Sequence, residues 1–351
     1  MKNNRLATLL LTCFTAMNFG CNQQGNGEPN LSTEAPLVSA ESTYLVLVES
    51  DIEYADGLVH DNVSTSPFAA PQTLDIYYPA NDHANRPVYM FIHGGGFQSG
   101  TKTKPEIIDL AHYFASRGWV VVSVDYRTAE DLGTITGKTP EELLTYYNGI
   151  APQEWLEYAL QTAESSDQVK TSTAMYTAQR DAKAALRWIV ANADTYNINP
   201  DYITVGGASA GSITTIALGI SDNEDFRDEI SISDDPTLAT THLDQSYVVR
   251  SMVYYWGSNI KLDLFENVYG LNRYDSNDPE LFMAHGTEND PVTPYSEAVE
   301  LQDIYNDLGI YNRLETLEGY GHGAWNAQVD GKGLSELSFD FLVNRQNLTV
   351  Q

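Results

Sequence analysis

The stretch "VGGASAGS", residues 205–212, sets one hydroxyl, that of Ser209, among the smallest side chains available. Gly207-x-Ser209-x-Gly211 is the spacing at which a strand turns sharply into a helix and presents a serine nucleophile. Such a turn is tight, so its flanking side chains must be tiny. The helix that begins there aims its first amides at the point where negative charge would develop. A second glycine run, "FIHGGGF" over residues 91–97, lets the backbone come close to a substrate oxygen. The amides of Gly95 and Gly96, together with that of Ala210, are the expected oxyanion donors, with Gly94 next. No Lys-Ser/Thr follows these glycines and the dinucleotide-binding spacing is absent, which argues against a phosphate cradle.

A serine alcohol needs a base, and the base needs an orienting acid. Of the seven histidines, His322 sits in the glycine-rich "LEGYGHGAW", where it can swing over a strand end. His93 and His285 are read as turning their own loops. His60, His83, His112 and His242 lie in surface-like or helical contexts. The acid is expected from "HGTENDPVTPY", where Asp290 precedes a proline-rigidified turn. Glu288, two residues earlier, is the alternative. The expected chemistry is nucleophilic acyl transfer by Ser209, His322 and Asp290, with no metal or cofactor required. Nothing in the sequence clusters cysteine and histidine as a zinc site would.

The elements that must carry these residues alternate between strand-like and helix-like runs, which predicts an α/β fold with a mostly parallel sheet covered by helices. "STYLVLVESDIEY" and "PQTLDIYYP" read as an N-terminal antiparallel pair. "PVYMFIHGGG", "WVVVSVDYR", "DYITVGG", "VVRSMVYYWGS", "ELFMAHGTE" and "NRLETLEG" read as the remaining strands. "IDLAHYFASRG", "TAQRDAKAALRWIVANADTY", "SAGSITTIALGI", "SEAVELQDIYNDLG" and "LSELSFDFLVNRQ" read as helices. Two stretches break the rhythm: a Tyr- and Trp-rich insertion at residues 128–176 and an acidic one at 220–247. Insertions of this length are usually functional lids or unstructured segments. Tyr146, Tyr147, Trp155, Tyr158 and Tyr176, with Tyr254, Tyr255 and Trp256, are expected either to line an apolar pocket or to fasten the insertion to the body.

The order Ser209, Asp290, His322 along the chain is that of α/β-hydrolases. "HGGGF", "VVSVDYR", "AALRWI…NINPDYITVGGASAG", "HGTENDPVTPY" and "GYGHG" together resemble the α/β-hydrolase carboxylesterases, over roughly residues 70–345. Within them the chain is similar to bacterial hormone-sensitive-lipase-like and related secreted esterases. It departs from that pattern in reading Gly-Ala-Ser-Ala-Gly at the elbow rather than Gly-Asp-Ser-Ala-Gly, and "TAEDLG" after "DYR". The resemblance implies a serine carboxylesterase acting through an acyl-enzyme on a small-molecule or polysaccharide-borne ester. The heavily acidic insertion favours short-chain or aromatic esters over long triglycerides. A serine peptidase, a thioesterase or a catalytically idle surface binding module on the same fold are the alternatives.

The N-terminus carries Lys2 and Arg5, an apolar run, then Gly20 and Cys21, which reads as an export signal over residues 1–20. Its Gly-Cys end resembles a bacterial lipoprotein signal, making Cys21 the expected lipidation and membrane-anchoring residue. Residues 21–36 read as a flexible tether and 37–351 as one domain. Cys13 falls in the leader and Cys21 at its end, so the domain over 37–351 holds no disulfide. With 48 acidic and 19 basic residues and a net charge of −29, the surface repels nucleic acid. The expected location is the cell envelope or the medium, and the sequence leaves the oligomeric state open.

Overall fold

Val88, Met90 and Ile92 face one side of the central sheet and Tyr89 and Phe91 the other, all fully buried. That two-sided burial is what a parallel strand covered by helices on both faces requires. The computed structural model describes residues 34–62, 66–258, 265–288, 290 and 292–351. The leader, Cys13, Cys21 and most of the expected tether lie outside the described residues.

The main sheet has eight strands among the described residues: β1 (Val46–Val59), β2 (Phe68–Pro79), β3 (Arg86–Ile92), β4 (Val120–Val124), β5 (Ile198–Ala208), β6 (Val249–Tyr255), β7 (Glu280–Gly286) and β8 (Asn312–Leu317). They lie in the order β1-β2-β4-β3-β5-β6-β7-β8. The first two pairings are antiparallel and the other five parallel. Helices α1 (Pro105–Ala115) and α7 (Leu334–Gln346) pack with Tyr89, Phe91 and Tyr255 on one face. The long helix α4 (Ser166–Ala191), α5 (Ala210–Ile220) and α6 (Tyr295–Asp307) pack with Met90, Val205 and Met283 on the other. Each fully buried Val, Leu or Phe contributes about 1.5–3 kcal/mol to such a core.

The insertion after β4 is largely helical. Thr139 opens α2 (Pro140–Tyr146) with a capping box: its hydroxyl accepts from the Glu142 amide while the Glu142 carboxylate accepts from the Thr139 amide. Helix α3 (Gln153–Thr162) follows. Helix α4 starts at Ser166, well before the apolar spacing at Ala182–Val190 that announces it. The reason is chemical: its earlier buried positions include Thr173, Thr177, Gln179, Arg180 and Asp181, so the hydrophobic period is hidden.

Tyr147, Trp155 and Tyr176 are buried in the core and fasten the insertion to the body, Trp155 packing against Tyr176 and Phe226. Two buried ion pairs do the same. Arg127, directly after β4, forks onto Asp181 of α4 at 2.6–3.1 Å and also donates to the Leu58 carbonyl. Arg180 meets Asp235, in the second insertion, at 3.0 Å. His60 departs from the surface context read for it: it is buried, stacked on Tyr146 at 3.6 Å and bonded to the Tyr146 carbonyl.

Candidate active site

Strand β5 ends in Gly206, Gly207 and Ala208, and the chain turns into α5 through Ser209, whose backbone sits at φ 57°, ψ −122°. An L-residue held there costs on the order of 1–3 kcal/mol, so the surroundings must impose it. The glycines show how. A Cβ on Gly207 would lie 2.3 Å from the Gly211 carbonyl group, and one on Gly211 would lie 2.0 Å from the Ile92 oxygen. A Cβ on Gly94 would meet the Ala208 oxygen at 2.6 Å. The buried Ser212 hydroxyl accepts from the Tyr255 amide at 2.9 Å and lies 2.7 Å from the Gly207 carbonyl. The Ser209 amide donates to the Tyr255 carbonyl at 2.9 Å. The crowd of small residues therefore lets β3, β5 and the start of α5 close around a single projecting side chain.

The loop after β8 brings His322 over that side chain. Its Nε2 lies 2.9 Å from Ser209 Oγ and its Nδ1 lies 2.7 Å from Asp290 Oδ2. Asp290 follows β7 and is buried, with its other oxygen accepting from the amides of Val292 (2.9 Å) and Thr293 (3.2 Å). Burial alone would raise its pKa. Hydrogen bonds from the Thr293 hydroxyl, these two amides and His322 outweigh burial and hold it down to about 2. Asp290, not Glu288, is the carboxylate brought to the imidazole.

Thr293, missed by the sequence reading, bridges the pair: its hydroxyl lies 2.7 Å from Asp290 Oδ2 and 3.0 Å from His322 Nδ1. The signal was present, since Asp-x-x-Thr is the spacing of a side-chain turn closed on backbone amides.

Gly95 and Gly96 adopt φ 145° and 63°, values that favour glycine, and leave their loop facing Ser209. Ala210 is the first residue of α5, so its amide has no carbonyl one turn back to bond. His93 stays structural. It is buried and stacked on Tyr126 at 4.2 Å, and its Nδ1 lies 3.0 Å from the Gly94 carbonyl. Burial pushes its pKa down to about 4, against the raising effect of the Gly94 contact and Asp125. His285 is likewise buried, with its Nδ1 3.0 Å from the Gly286 carbonyl.

These parts open onto a cleft of about 440 Å³ whose walls include Ile107, Trp256, Trp325 and Val292, with Gln98 and Lys104 as further polar side chains. Of the aromatics singled out in the sequence, Trp256 lines this cleft. Tyr158 lines a neighbouring one of about 390 Å³ between α3 and α4, which Gln98 also borders. Among the described residues no group of three or more His, Cys, Asp or Glu is arranged to hold a metal. No helix there is long and apolar enough to cross a membrane.

Residues 74–135 and 156–258 match the BD-FAE family model. Phenmedipham hydrolase of Pseudarthrobacter oxydans is 30% identical over 147 residues, 42% of this chain and 22% of that protein. The chain spans about a fifth to a quarter of the length of the curated relatives it matches. A thermophilic esterase of Thermogutta terrifontis superposes with a TM-score of 0.52 at 19% identity, covering 83% of this chain and 92% of that one. A truncated carbohydrate esterase from gut microbiota superposes at 0.53 and 18% identity, covering 90% and 100%. The strand order, the strained turn at Ser209 and these likenesses converge: the chain has the α/β-hydrolase fold and is similar, in part of its sequence and in its fold, to esterases.

Proposed function

We propose that the protein is a serine carboxylesterase that cleaves short-chain or aromatic esters, small or borne on a polysaccharide, through an acyl-enzyme. The observation that carries this reading is the unbroken chain from Ser209 Oγ through His322 to Asp290, at 2.9 and 2.7 Å. In this mechanism His322 Nε2 takes the Ser209 proton as Oγ bonds to the ester carbonyl carbon. The carbonyl oxygen becomes an oxyanion held by the amides of Gly95, Gly96 and Ala210. Asp290 fixes the imidazole tautomer and stabilises the imidazolium, remaining ionised itself. Collapse of the tetrahedral species breaks the ester C–O bond, and His322 returns the proton to the leaving alcohol. Water, deprotonated by His322, then attacks the acyl carbon; the acyl–Oγ bond breaks, His322 returns the proton to Ser209 Oγ, and the acid is released.

The experiment is hydrolysis of p-nitrophenyl acetate by the mature protein and by Ser209→Ala. The expected result is a fall in kcat of about 10⁶-fold, the size seen when such a nucleophile is removed. Full activity in the variant would end the reading. The aromatic walls Trp256 and Trp325 support aromatic or short acyl groups, and a panel from acetate to palmitate with feruloyl and acetyl-xylan esters ranks them. The leader supports export, with Cys21 as the lipid attachment point. Release from membranes by Cys21→Ser tests that part.

A further inference from the structure

Lys104 is the cationic side chain of the Ser209 cleft. It precedes α1 and lines the Ser209 cleft. Its Nζ donates to the Gly94 carbonyl at 3.1 Å, which holds the ammonium beside the glycine loop. The lysines differ in their partners: Lys183 donates to the carbonyls of Asp222 and Asp225, with no carboxylate among the described residues at ion-pair distance. Lys102, two residues from Lys104, takes Asp51 and Asp125 at 2.9 Å each, and Lys332 takes Asp340 and Glu336. Among the described residues no carboxylate lies within ion-pair distance of Lys104, and none lines the cleft. A strongly acidic protein thus keeps one cation beside its candidate nucleophile without a protein anion to neutralise it.

Resting on the esterase reading, we infer that Lys104 recognises a carboxylate on the substrate, and that the site takes carboxylate-bearing esters. The ammonium has donors left after its bond to Gly94, and a carboxylate forms stronger, charge-assisted hydrogen bonds to it than water does. The walls of Trp256, Trp325 and Ile107 lower the local dielectric and strengthen the pairing. The net charge of −29 disfavours anions over the surface at large, so recognition of an acidic ester must come from a local contact such as the Lys104 ammonium.

The test uses two matched pairs of esters on the full mature protein. One pair carries the charge on the acyl side, mono-p-nitrophenyl glutarate against p-nitrophenyl valerate. The other carries it on the alcohol side, 4-acetoxybenzoate against 4-acetoxytoluene. The readout is the ratio of kcat/KM, charged over neutral, in each pair. For at least one pair this ratio should fall about five-fold in Lys104→Met, the scale of a partly exposed ion pair, and recover in Lys104→Arg. Ratios unchanged by Lys104→Met in both pairs would overturn the inference and leave Lys104 as a brace for the glycine loop. If the wild-type protein hydrolyses none of the four esters, the esterase reading falls too, a result distinct from an unchanged ratio.

Discussion

The carboxyl end of the sheet and the helical insertion over it both concentrate polar side chains, yet they use them in opposite ways. At the sheet end the chain accepts strain. Ser209 is held at φ 57°, ψ −122° and the glycines around it leave no room for a Cβ. The insertion stores no comparable strain. The charges at its junction with the body are buried and neutralised in pairs, Arg127 with Asp181 and Arg180 with Asp235. The candidate nucleophile is held by backbone geometry, whereas the groups that fasten the insertion are taken out of water and matched. Mutations at the two places should therefore fail differently, one in rate with the fold intact, the other in stability.

The largest difference is expected at Asp290. Asp290→Asn keeps the side-chain shape and the turn at Val292–Thr293 but disturbs the His322 tautomer. Esterase kcat should drop about 10⁴-fold, with the thermal midpoint little changed. A loss of less than ten-fold would mean that the Asp290–His322 contact at 2.7 Å does not orient the base. Where the insertion joins the body, Arg127→Met leaves the Asp181 carboxylate buried without its charge partner. It should cost about 3–5 kcal/mol of stability, read by denaturant or thermal unfolding, while the protein that remains folded keeps its esterase kcat. Equal losses in rate per folded molecule at both sites would erase the contrast.

The sequence made the first region readable because the chemistry dictates residue types. Only glycine and alanine fit beside Ser209, and only a short glycine-rich loop carries His322 to it. The strands and the mostly parallel sheet were equally open to reading, since β3 and β4 are short runs buried on both faces. The insertion resisted for the converse reason. Asp181 and Arg180 look like solvated helix residues until Arg127 and Asp235 are seen opposite them, and a buried pair is a property of two distant segments at once. The same holds for His60, whose polarity suggested a surface and whose partner Tyr146 lies 86 positions away. Thr293 lay in plain view, but its role depends on where His322 arrives.

A smaller effect sharpens the comparison from the pH axis. The folded-state pKa of Asp290 is lowered to about 2, below the unfolded value near 3.9. Its contribution to stability is therefore complete above about pH 4 and disappears as pH falls through about 2. Thr293→Val removes one hydrogen bond to the carboxylate and should move that loss to higher pH. It should also lower kcat about ten-fold, the scale of one charge-assisted hydrogen bond. Acid unfolding followed by near-ultraviolet circular dichroism, alongside rate measurements, reads both. An acid transition identical to that of the parent would show that the Thr293 hydroxyl does not stabilise the carboxylate.

The central claim is that Ser209 Oγ is activated by an imidazole 2.9 Å away that is itself held by Asp290. Fluorophosphonate labelling followed by peptide mass spectrometry tests it directly. The account predicts one adduct, on Ser209, absent from Ser209→Ala and slowed by orders of magnitude in His322→Ala. Failure of the parent protein to label, or an adduct on another residue that persists in Ser209→Ala, would contradict it.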